Sequence, residues 1–198
     1  MRNLVLALLA MTLFSCSQRE ERKIAEKNKA AVVYENIMNR RSIRAYKDQP
    51  VPRAQLDSIV QCAIHAPSAN NKQSWQVRVI QDQEMMRNIR NINPSFSYNA
   101  PNLIVVAKEK ENPISAVDCG LLAQNILLMA EAMDLGTVVL GGMVGVINSP
   151  DAKDIMDALD FPATHEVVFA IAIGYKDEQP ATPVRDMSKV RFISMDDV

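Results

Sequence analysis

The residues Arg40-Arg41-Ser42-Ile43-Arg44 place three guanidinium groups and one hydroxyl within five positions. Arginine presents a planar fork of donors that matches phosphate oxygens and keeps its charge at any physiological pH. In an extended segment, Arg40, Ser42 and Arg44 would point to one side, whereas Arg41 and Ile43 would point to the other. One side can then clamp an anionic cofactor while Ile43 enters a core. An isolated segment of this kind is more typical of a solvated basic turn, so the rest of the chain must decide.

Residue patterns that support catalysis by the protein alone are missing from the sequence. The two histidines, His65 and His165, are too few and too far apart for a metal site, and there is no CxxC, HxxxH or GxGxxG pattern. Cys62 lies three residues from His65 on a predicted helix, but it falls beside the buried face, which favours a core thiol. The remaining features suit contacts to a cofactor that supplies its own chemistry. We therefore predict neither a metal ion nor a protein nucleophile.

The composition describes one globular domain without a nucleic-acid partner. The 198 residues carry 22 basic and 23 acidic side chains, and the two signs are interleaved. This balance argues against a broad basic face that binds nucleic acid. The core must rely on aliphatic and thioether side chains, because the chain has eleven Met but one Trp and five Phe.

The N-terminus resembles a bacterial export signal. Arg2 precedes the apolar run 4–14, which is shorter than the ~20 residues that a membrane-spanning helix requires. Leu13-Phe14-Ser15-Cys16 resembles a lipobox, in which the cysteine is acylated after cleavage. We expect a signal peptide over 1–16 with lipidation at Cys16, a polar tether over 17–31 and one domain over 32–198. The protein would then be a membrane lipoprotein facing outside the cytoplasm. An ordinary signal peptide, or a cytoplasmic protein if no signal is present, is the alternative.

Hydrophobic periodicity predicts alternating helices and strands. We expect helices over 52–64, 82–92 and 116–133 and from Ser149 onwards, and strands over 75–80, 103–107, 136–142 and 167–173. The helix over 116–133 is apolar nearly all round, which implies burial on every side. A lone domain has little room for such a helix unless a second copy covers one side, so we predict an obligate dimer. The alternative is a central helix wrapped by its own chain.

Three loops carry groups that suit a flat ligand. Residues 66–75 offer amides and hydroxyls that can contact a heterocycle, although such side chains usually cap the loop itself. The pair Gly141-Gly142 allows a close backbone approach or a turn with positive φ. Phe96 and Tyr98 belong to an aromatic loop of the kind that covers pockets.

These features occur in an order that resembles the FMN-dependent nitroreductases and flavin oxidoreductases. The resemblance runs from about Tyr34 to Arg185, and six motifs in order make it specific. They are Arg40-Arg41-Ser42-Ile43-Arg44, Ala66-Pro67-Ser68 with Asn71, Gln73 and Trp75, Asn99-Ala100-Pro101, Asp118 with Gly120 and Asn125, Leu135-Gly136-Thr137, and Ile173-Gly174-Tyr175. The resemblance implies an α+β nitroreductase-like fold with a mainly antiparallel sheet flanked by helices. It also implies an intertwined homodimer with two FMN sites at the interface.

The resemblance further implies which residues contact FMN. Arg40, Arg41 and Ser42 would hold the phosphate and ribityl chain, and Arg185 would close on the phosphate. Arg44 would lie near the flavin N1/O2 edge, where a cation stabilises the negative charge of the reduced ring. From the other subunit, the flavin would be packed by Pro67, Ser68, Ala69, Asn71 and Gln73. The backbone of Leu140, Gly141 and Gly142 would run beside the ring near N5.

The implied reaction is a ping-pong oxidoreduction. NAD(P)H would reduce FMN by hydride transfer, and a small acceptor such as a nitroaromatic or a quinone would then take the electrons, with Phe96 and Tyr98 lining the pocket. Two positions differ from the pattern of many family members. Ser74 stands where they have a proline before the tryptophan of the loop, and Gly141 stands where they have an acidic residue before a glycine. An exported protein would meet little NAD(P)H, so either another reductant serves it or the export prediction fails. The alternatives are a membrane-anchored flavin-binding protein without NAD(P)H turnover and another flavin reaction on the same scaffold.

Overall fold

A four-stranded antiparallel sheet forms the centre of the fold. The computed structural model describes residues 28–93, 97–147 and 149–194. The strands are β1 (Trp75–Ile80), β2 (Asn102–Glu109), β3 (Leu135–Leu140) and β4 (His165–Tyr175), in the order β1-β2-β4-β3. All three neighbouring pairs run antiparallel. The predicted α+β class with a mainly antiparallel sheet is therefore confirmed.

Helices cover both faces of this sheet. They are α1 (28–39), α2 (Arg53–Ile64), α3 (Gln83–Ile92), α4 (Ser115–Ala132), α5 (Met143–Ile147) and α6 (Lys153–Leu159). The carboxylate of Asp82 caps α3 by accepting a hydrogen bond from the Met85 backbone N at 2.7 Å, a usual N-cap arrangement. Residues 28–31, assigned to the polar tether from the sequence, lie in α1.

The sheet separates two hydrophobic cores. Leu103 and Val105 of β2 pack in the core that contains side chains of α3, α5 and α6. Ile104 and Val106 point to the opposite face, into the core formed with α2 and α4. Because successive side chains of a strand alternate between faces, a strand covered on both sides is apolar at every position. This explains the continuous apolar runs of β2 and β4.

Helix α4 buries one side against the sheet and α2. Cys119, Leu122 and Ile126 are fully buried on that side. Val117 and Leu121, on the other side, remain 58% and 41% exposed. The single chain thus covers only half of a helix that is apolar nearly all round, and the exposed side is available to a second copy.

The Cys119 thiol gives the folded chain a pH dependence at alkaline pH. Burial raises its pKa from the usual 9.0 to about 11, although a hydrogen bond with Ser115 opposes the shift. Between these two values the unfolded chain loses the thiol proton while the folded chain keeps it. The sign follows directly: the free energy of unfolding should fall as pH rises from 9 towards 11, by up to about 1.4 kcal/mol per pH unit for this group.

Urea unfolding between pH 8 and 10.5 measures this effect. Cys119→Ala should show a shallower decline of the unfolding free energy over that range. The matched variant Cys62→Ala replaces a partly exposed thiol and should retain the decline of the unaltered chain. Parallel declines in all three proteins would show that Cys119 contributes nothing to the alkaline sensitivity.

Candidate functional site

The arginine segment is fixed to the sheet where β3 begins and β4 ends. Ser42 forms a parallel bridge with Thr137, and the Ile43 backbone N donates to the Thr137 carbonyl at 3.0 Å. Tyr46 forms an antiparallel bridge with Lys176. The segment therefore continues the hydrogen-bonding pattern of the sheet and holds its side chains in fixed directions.

Ile43 anchors this segment in the core. It is 2% exposed, while the adjacent Arg44 is exposed, as the extended pattern predicted. Gly136 makes room for it, because a Cβ at Gly136 would lie 2.8 Å from the Ile43 Cβ. The buried Tyr46 hydroxyl donates to the Ile43 carbonyl at 2.6 Å. These contacts fix the backbone at Ile43, and with it the positions of the adjacent residues Ser42 and Arg44.

The segment that follows β4 returns over the arginines. The carboxylate of Glu178 accepts a hydrogen bond from the Arg44 backbone N. Farther along, the Thr182 hydroxyl lies 2.6 Å from Arg41 Nη2, which donates to it. Residues 178–182 therefore run alongside the arginine segment and direct the following chain, including Arg185, towards it.

Arg40 lies in a partly buried, strongly charged environment. Burial lowers its pKa below the usual value, the negative charge of Glu131 opposes this shift, and the positive charges of Arg185 and Arg41 add to it. The guanidinium groups of Arg41 and Arg185 therefore repel that of Arg40 in the absence of an anion. A cluster of this kind is typical of a site that binds phosphate.

The amide loop adopts an uncommon backbone conformation. Asn70, Asn71 and Gln73 have φ values of 52°, 54° and 51°, in the left-handed region that residues other than glycine rarely occupy. The backbone N of Gln73 donates to the Ser68 hydroxyl at 2.9 Å. The backbone N of Ala69 donates to the Asp118 carboxylate at 3.2 Å. The loop is therefore tied to the first turn of α4.

Ser74 fastens the other end of this loop. Its hydroxyl accepts a hydrogen bond from Asn112 Nδ2 at 2.7 Å, and its carbonyl accepts one from the Ser115 hydroxyl at 2.5 Å. Ser74 itself is 5% exposed. A proline at this position has no hydroxyl, so the departure noted in the sequence gives this chain an additional polar anchor. Pro67, Asn71 and Gln73 are exposed beside it, and Ser68 and Ala69 are partly buried.

The predicted glycine pair lies in a turn directly after β3. Leu140, the last residue of the strand, is buried, whereas Gly141 and Gly142 are exposed. A Cβ at Gly141 would meet no atom within 4 Å, and its φ is not in the left-handed region. The fold of the single chain therefore does not require glycine at position 141. Of the two reasons predicted for the glycine pair, a close approach of another group to the backbone is the one that remains.

Tyr98, predicted to line the substrate pocket, lies beside Arg44. The Arg44 guanidinium is 5.9 Å from the centre of the Tyr98 ring, within the range of a cation–π contact. Tyr98 and Asn99 both have positive φ values, 51° and 57°. Phe96, the other predicted pocket residue, lies outside the described residues.

Within one chain the arginine cluster and the amide loop, both predicted to contact the cofactor, lie apart. Ala69 is bonded to Asp118 near the start of α4, whereas Arg40 lies within electrostatic range of Glu131 near its end. Asp118 and Glu131 are thirteen positions apart along the helix, which corresponds to about 20 Å at ~1.5 Å per residue. The arginine cluster and the amide loop of the same chain therefore lie at opposite ends of α4.

Several side chains of this region could not be singled out from the sequence. They are Tyr46, Glu131, Lys176, Glu178 and Thr182. One signal was available for Glu131, because an acid in the last turn of a helix opposes the helix dipole and needs compensation by cations. The run Lys176-Asp177-Glu178 directly after a buried strand was a second, weaker signal.

Known proteins resemble this chain in sequence and in structure. A protein of Methanothermobacter thermautotrophicus with the provisional name NADH dehydrogenase/NAD(P)H nitroreductase is 34% identical over 157 residues, covering 76% of this chain and 80% of the relative. The NADPH-flavin oxidoreductase of Vibrio harveyi is 28% identical, with 76% and 68% covered. The structure of an FMN-dependent nitroreductase from Clostridium difficile matches with a TM-score of 0.69 and 30% identity, over 82% of this chain and 99% of that one.

The predicted location in a membrane, facing outside the cytoplasm, is wrong. The relatives are named for reactions of NADH or NADPH, and cells regenerate these charged donors inside, where an exported protein has no access to them. Within residues 28–93, 97–147 and 149–194, no helix is long and apolar enough to cross a membrane. The predicted signal peptide and Cys16 lie outside the described residues.

The family assignment rests on most of the folded chain. The sequence profile of the Nitroreductase family matches residues 37–96 and 87–175 of this chain. The matched residues include the arginine segment, the amide loop and all four strands. A nitroreductase of Bacteroides fragilis has the same fold, with a TM-score of 0.74, although it is 21% identical. The predicted nitroreductase-like fold is confirmed, and the chain belongs to the Nitroreductase family.

Proposed function

We propose that this chain is an FMN-dependent oxidoreductase that uses NAD(P)H to reduce small acceptors such as nitroaromatics or quinones. The names of relatives support the enzyme class, the cofactor and the donor: an NADPH-flavin oxidoreductase, an FMN reductase [NAD(P)H] and FMN-dependent nitroreductases. The observation that carries the proposal is that Arg41 and Arg185 lie within electrostatic range of Arg40, beside the bridge that joins Ser42 to Thr137 at the start of β3.

The residues present fit an FMN phosphate. The cluster presents guanidinium donors whose mutual repulsion a dianion would relieve, and Ser42 is fixed beside them by its bridge to Thr137. Bound FMN supplies the hydride and electron chemistry, so the protein has to bind, orient and shield it. Arg40, Arg41, Ser42 and Arg185 would hold the phosphate end. Arg44, exposed beside Tyr98, would lie next to the ring.

Two subunits would complete each site. The separation of about 20 Å along α4 between the arginine cluster and the amide loop is difficult to bridge within one chain. In a homodimer, the partner's loop can approach the cluster from outside. Pro67, Ser68, Ala69, Asn71 and Gln73 would then enclose the flavin, and the open space at Gly141 would admit the ring beside the backbone of residues 140–142.

Flavin uptake and steady-state kinetics test this function. The purified protein should bind FMN with a flavin absorbance spectrum and should reduce a nitroaromatic or a quinone with NADH or NADPH. A ping-pong reaction gives parallel lines in double-reciprocal plots at several acceptor concentrations. A colourless protein that takes up no added FMN would refute the proposed function, and converging lines would refute the ping-pong order.

The homodimer can be tested separately by introducing a charge on the exposed side of α4. Leu121→Glu should convert the dimer to a monomer in light scattering at micromolar concentration, because an unpaired charge in an apolar interface costs several kcal/mol. Asn88→Glu places the same charge on the exposed side of α3 and should leave the dimer intact. An unaltered dimer in Leu121→Glu would exclude this side of α4 from the interface.

A further inference from the structure

Glu131 occupies a position that its own helix disfavours. It is the second-last residue of α4, where the helix dipole is negative and the last carbonyl groups lack helical partners. Its side chain is nevertheless only 12% exposed. Burial of a carboxylate at a helix C-terminus is unfavourable unless cations compensate it. The position of Glu131 therefore indicates a specific electrostatic role.

Two cations provide this compensation. Lys176 Nζ donates to Glu131 Oε2 at 2.9 Å, and the Lys176 side chain is itself only 27% exposed. Lys176 directly follows β4 and bridges to Tyr46, so it belongs to the same backbone framework as the arginine segment. Arg40 is the second cation, at longer range: it does not pair directly with Glu131, but the negative charge of that carboxylate still acts on its guanidinium.

Helix α1 reaches the same point from the other direction. Asn36 Nδ2 donates to the Leu128 carbonyl of α4 at 2.9 Å, and the Arg40 backbone N donates to the Asn36 carbonyl at 3.2 Å. Arg40 is thereby tied to α4 one turn before Glu131. The carboxylate thus lies at the junction of α1, α4 and the end of β4, paired with Lys176 and within electrostatic range of Arg40.

We propose that Glu131 is a positioning residue for the phosphate end of the FMN site, holding Arg40 and Lys176 in place and making Lys176 a further cation of that site. The proposal rests on the proposed function, because it assigns a role towards the same cofactor. Without this carboxylate, Lys176 would lose its ionic partner and Arg40 the negative charge that opposes Arg41 and Arg185, and these long side chains would turn to solvent. The carboxylate keeps them directed to one place before the anion arrives.

The positioning role and a simple charge effect predict opposite changes in FMN affinity when the negative charge of Glu131 is removed. A carboxylate close to a bound phosphate repels it, so removal of the charge alone should tighten FMN binding. Removal of a positioning group should weaken it, because the cations then have to be ordered on binding. Glu131→Gln conserves the shape of the side chain and removes its charge, so the direction of the change distinguishes the two accounts.

The experiment compares FMN with riboflavin, which has the same ring but lacks the phosphate. Apoprotein is titrated with each flavin, and binding is followed by quenching of flavin fluorescence. We expect Glu131→Gln to weaken FMN binding by about tenfold, the loss of one charged hydrogen bond, and to leave riboflavin binding unchanged. Lys176→Met should show the same pattern and serves if Glu131→Gln does not fold.

Glu166→Gln is the matched control. Glu166 pairs with Lys108 at 2.9 Å, the same distance as in the Glu131 pair, but it is 50% exposed and lies near the opposite end of β4 from Lys176. Its FMN affinity should equal that of the unaltered chain. Unchanged or tighter FMN binding in Glu131→Gln, or an equal loss for both flavins, would overturn the positioning role. Failure of the unaltered chain to bind FMN would instead refute the proposed function.

Discussion

Replacement of Arg40 by alanine should weaken FMN binding by about 10- to 150-fold. This range corresponds to about 1.5–3 kcal/mol for one charged hydrogen bond. The side chain is partly buried, and burial lowers its pKa, so its charge is less well solvated than that of a surface arginine and interacts more strongly with an anion. Equilibrium titration of the apoprotein with FMN measures the change.

The control for this prediction is Arg53→Ala. Arg53 also begins a new structural element, but its side chain is 76% exposed and pairs with Asp57 at 2.7 Å within α2. Such a surface pair contributes little to stability, and we expect no change in FMN affinity. Equal flavin retention in Arg40→Ala and Arg53→Ala would remove Arg40 from the phosphate site.

Replacement of Ile43 by alanine should lower the free energy of unfolding by about 2–5 kcal/mol, the usual cost of truncating a fully buried isoleucine. Ile43 is 2% exposed and packs closely over Gly136. The cavity would also loosen the backbone on which Ser42 and Arg44 stand, so FMN binding should weaken together with stability. Urea unfolding measures the first effect and FMN titration the second.

A graded series separates the cavity from a general loss of apolar surface. Ile43→Val removes one methylene group and should cost about 0.5–1.5 kcal/mol. Val184→Ala truncates a side chain that is 97% exposed and should change stability by less than ~0.5 kcal/mol. If Ile43→Ala lowers the free energy of unfolding no more than Val184→Ala does, Ile43 does not anchor the arginine segment.

The strands and the main helices were predictable because their signals are local. β2 and β4 contain continuous apolar runs, over 103–107 and 167–173, because helices cover both faces of the sheet, and apolar runs of strand length indicate such burial. Predicted and observed bounds of β1 agree, and α3 begins one residue after the predicted position because Asp82 is its cap. Short-range periodicity and capping decide these elements.

The charged network at the site was not predictable by the same means. Glu131 and Lys176 are 45 residues apart in sequence, and only the sheet order brings the end of β4 beside the end of α4. No periodic pattern encodes a contact of this kind. The left-handed backbone of Asn70 and Asn71 was similarly hidden, because asparagine tolerates that conformation without requiring it.

Helix α4 is less buried in the single chain than its sequence predicted. Its apolar circumference predicted burial on every side, yet Val117 and Leu121 remain exposed in the isolated subunit. The proposed homodimer gives this discrepancy a physical reason, because the hydrophobic pattern would then reflect burial in the assembled protein and not in one copy. The proposed homodimer would also explain why the arginine cluster and the amide loop, both expected to contact FMN, lie at opposite ends of α4 within one chain.

The most direct test of the central claim is an anaerobic titration of the FMN-loaded protein with NADH and with NADPH. We predict that at least one donor bleaches the absorbance band of oxidised flavin, at about 450 nm. The stoichiometry should be about one donor per flavin, because flavin accepts two electrons. Addition of a nitroaromatic or a quinone should then restore the absorbance. Bound FMN that neither donor bleaches would contradict the account and would favour a flavin-binding protein without NAD(P)H turnover.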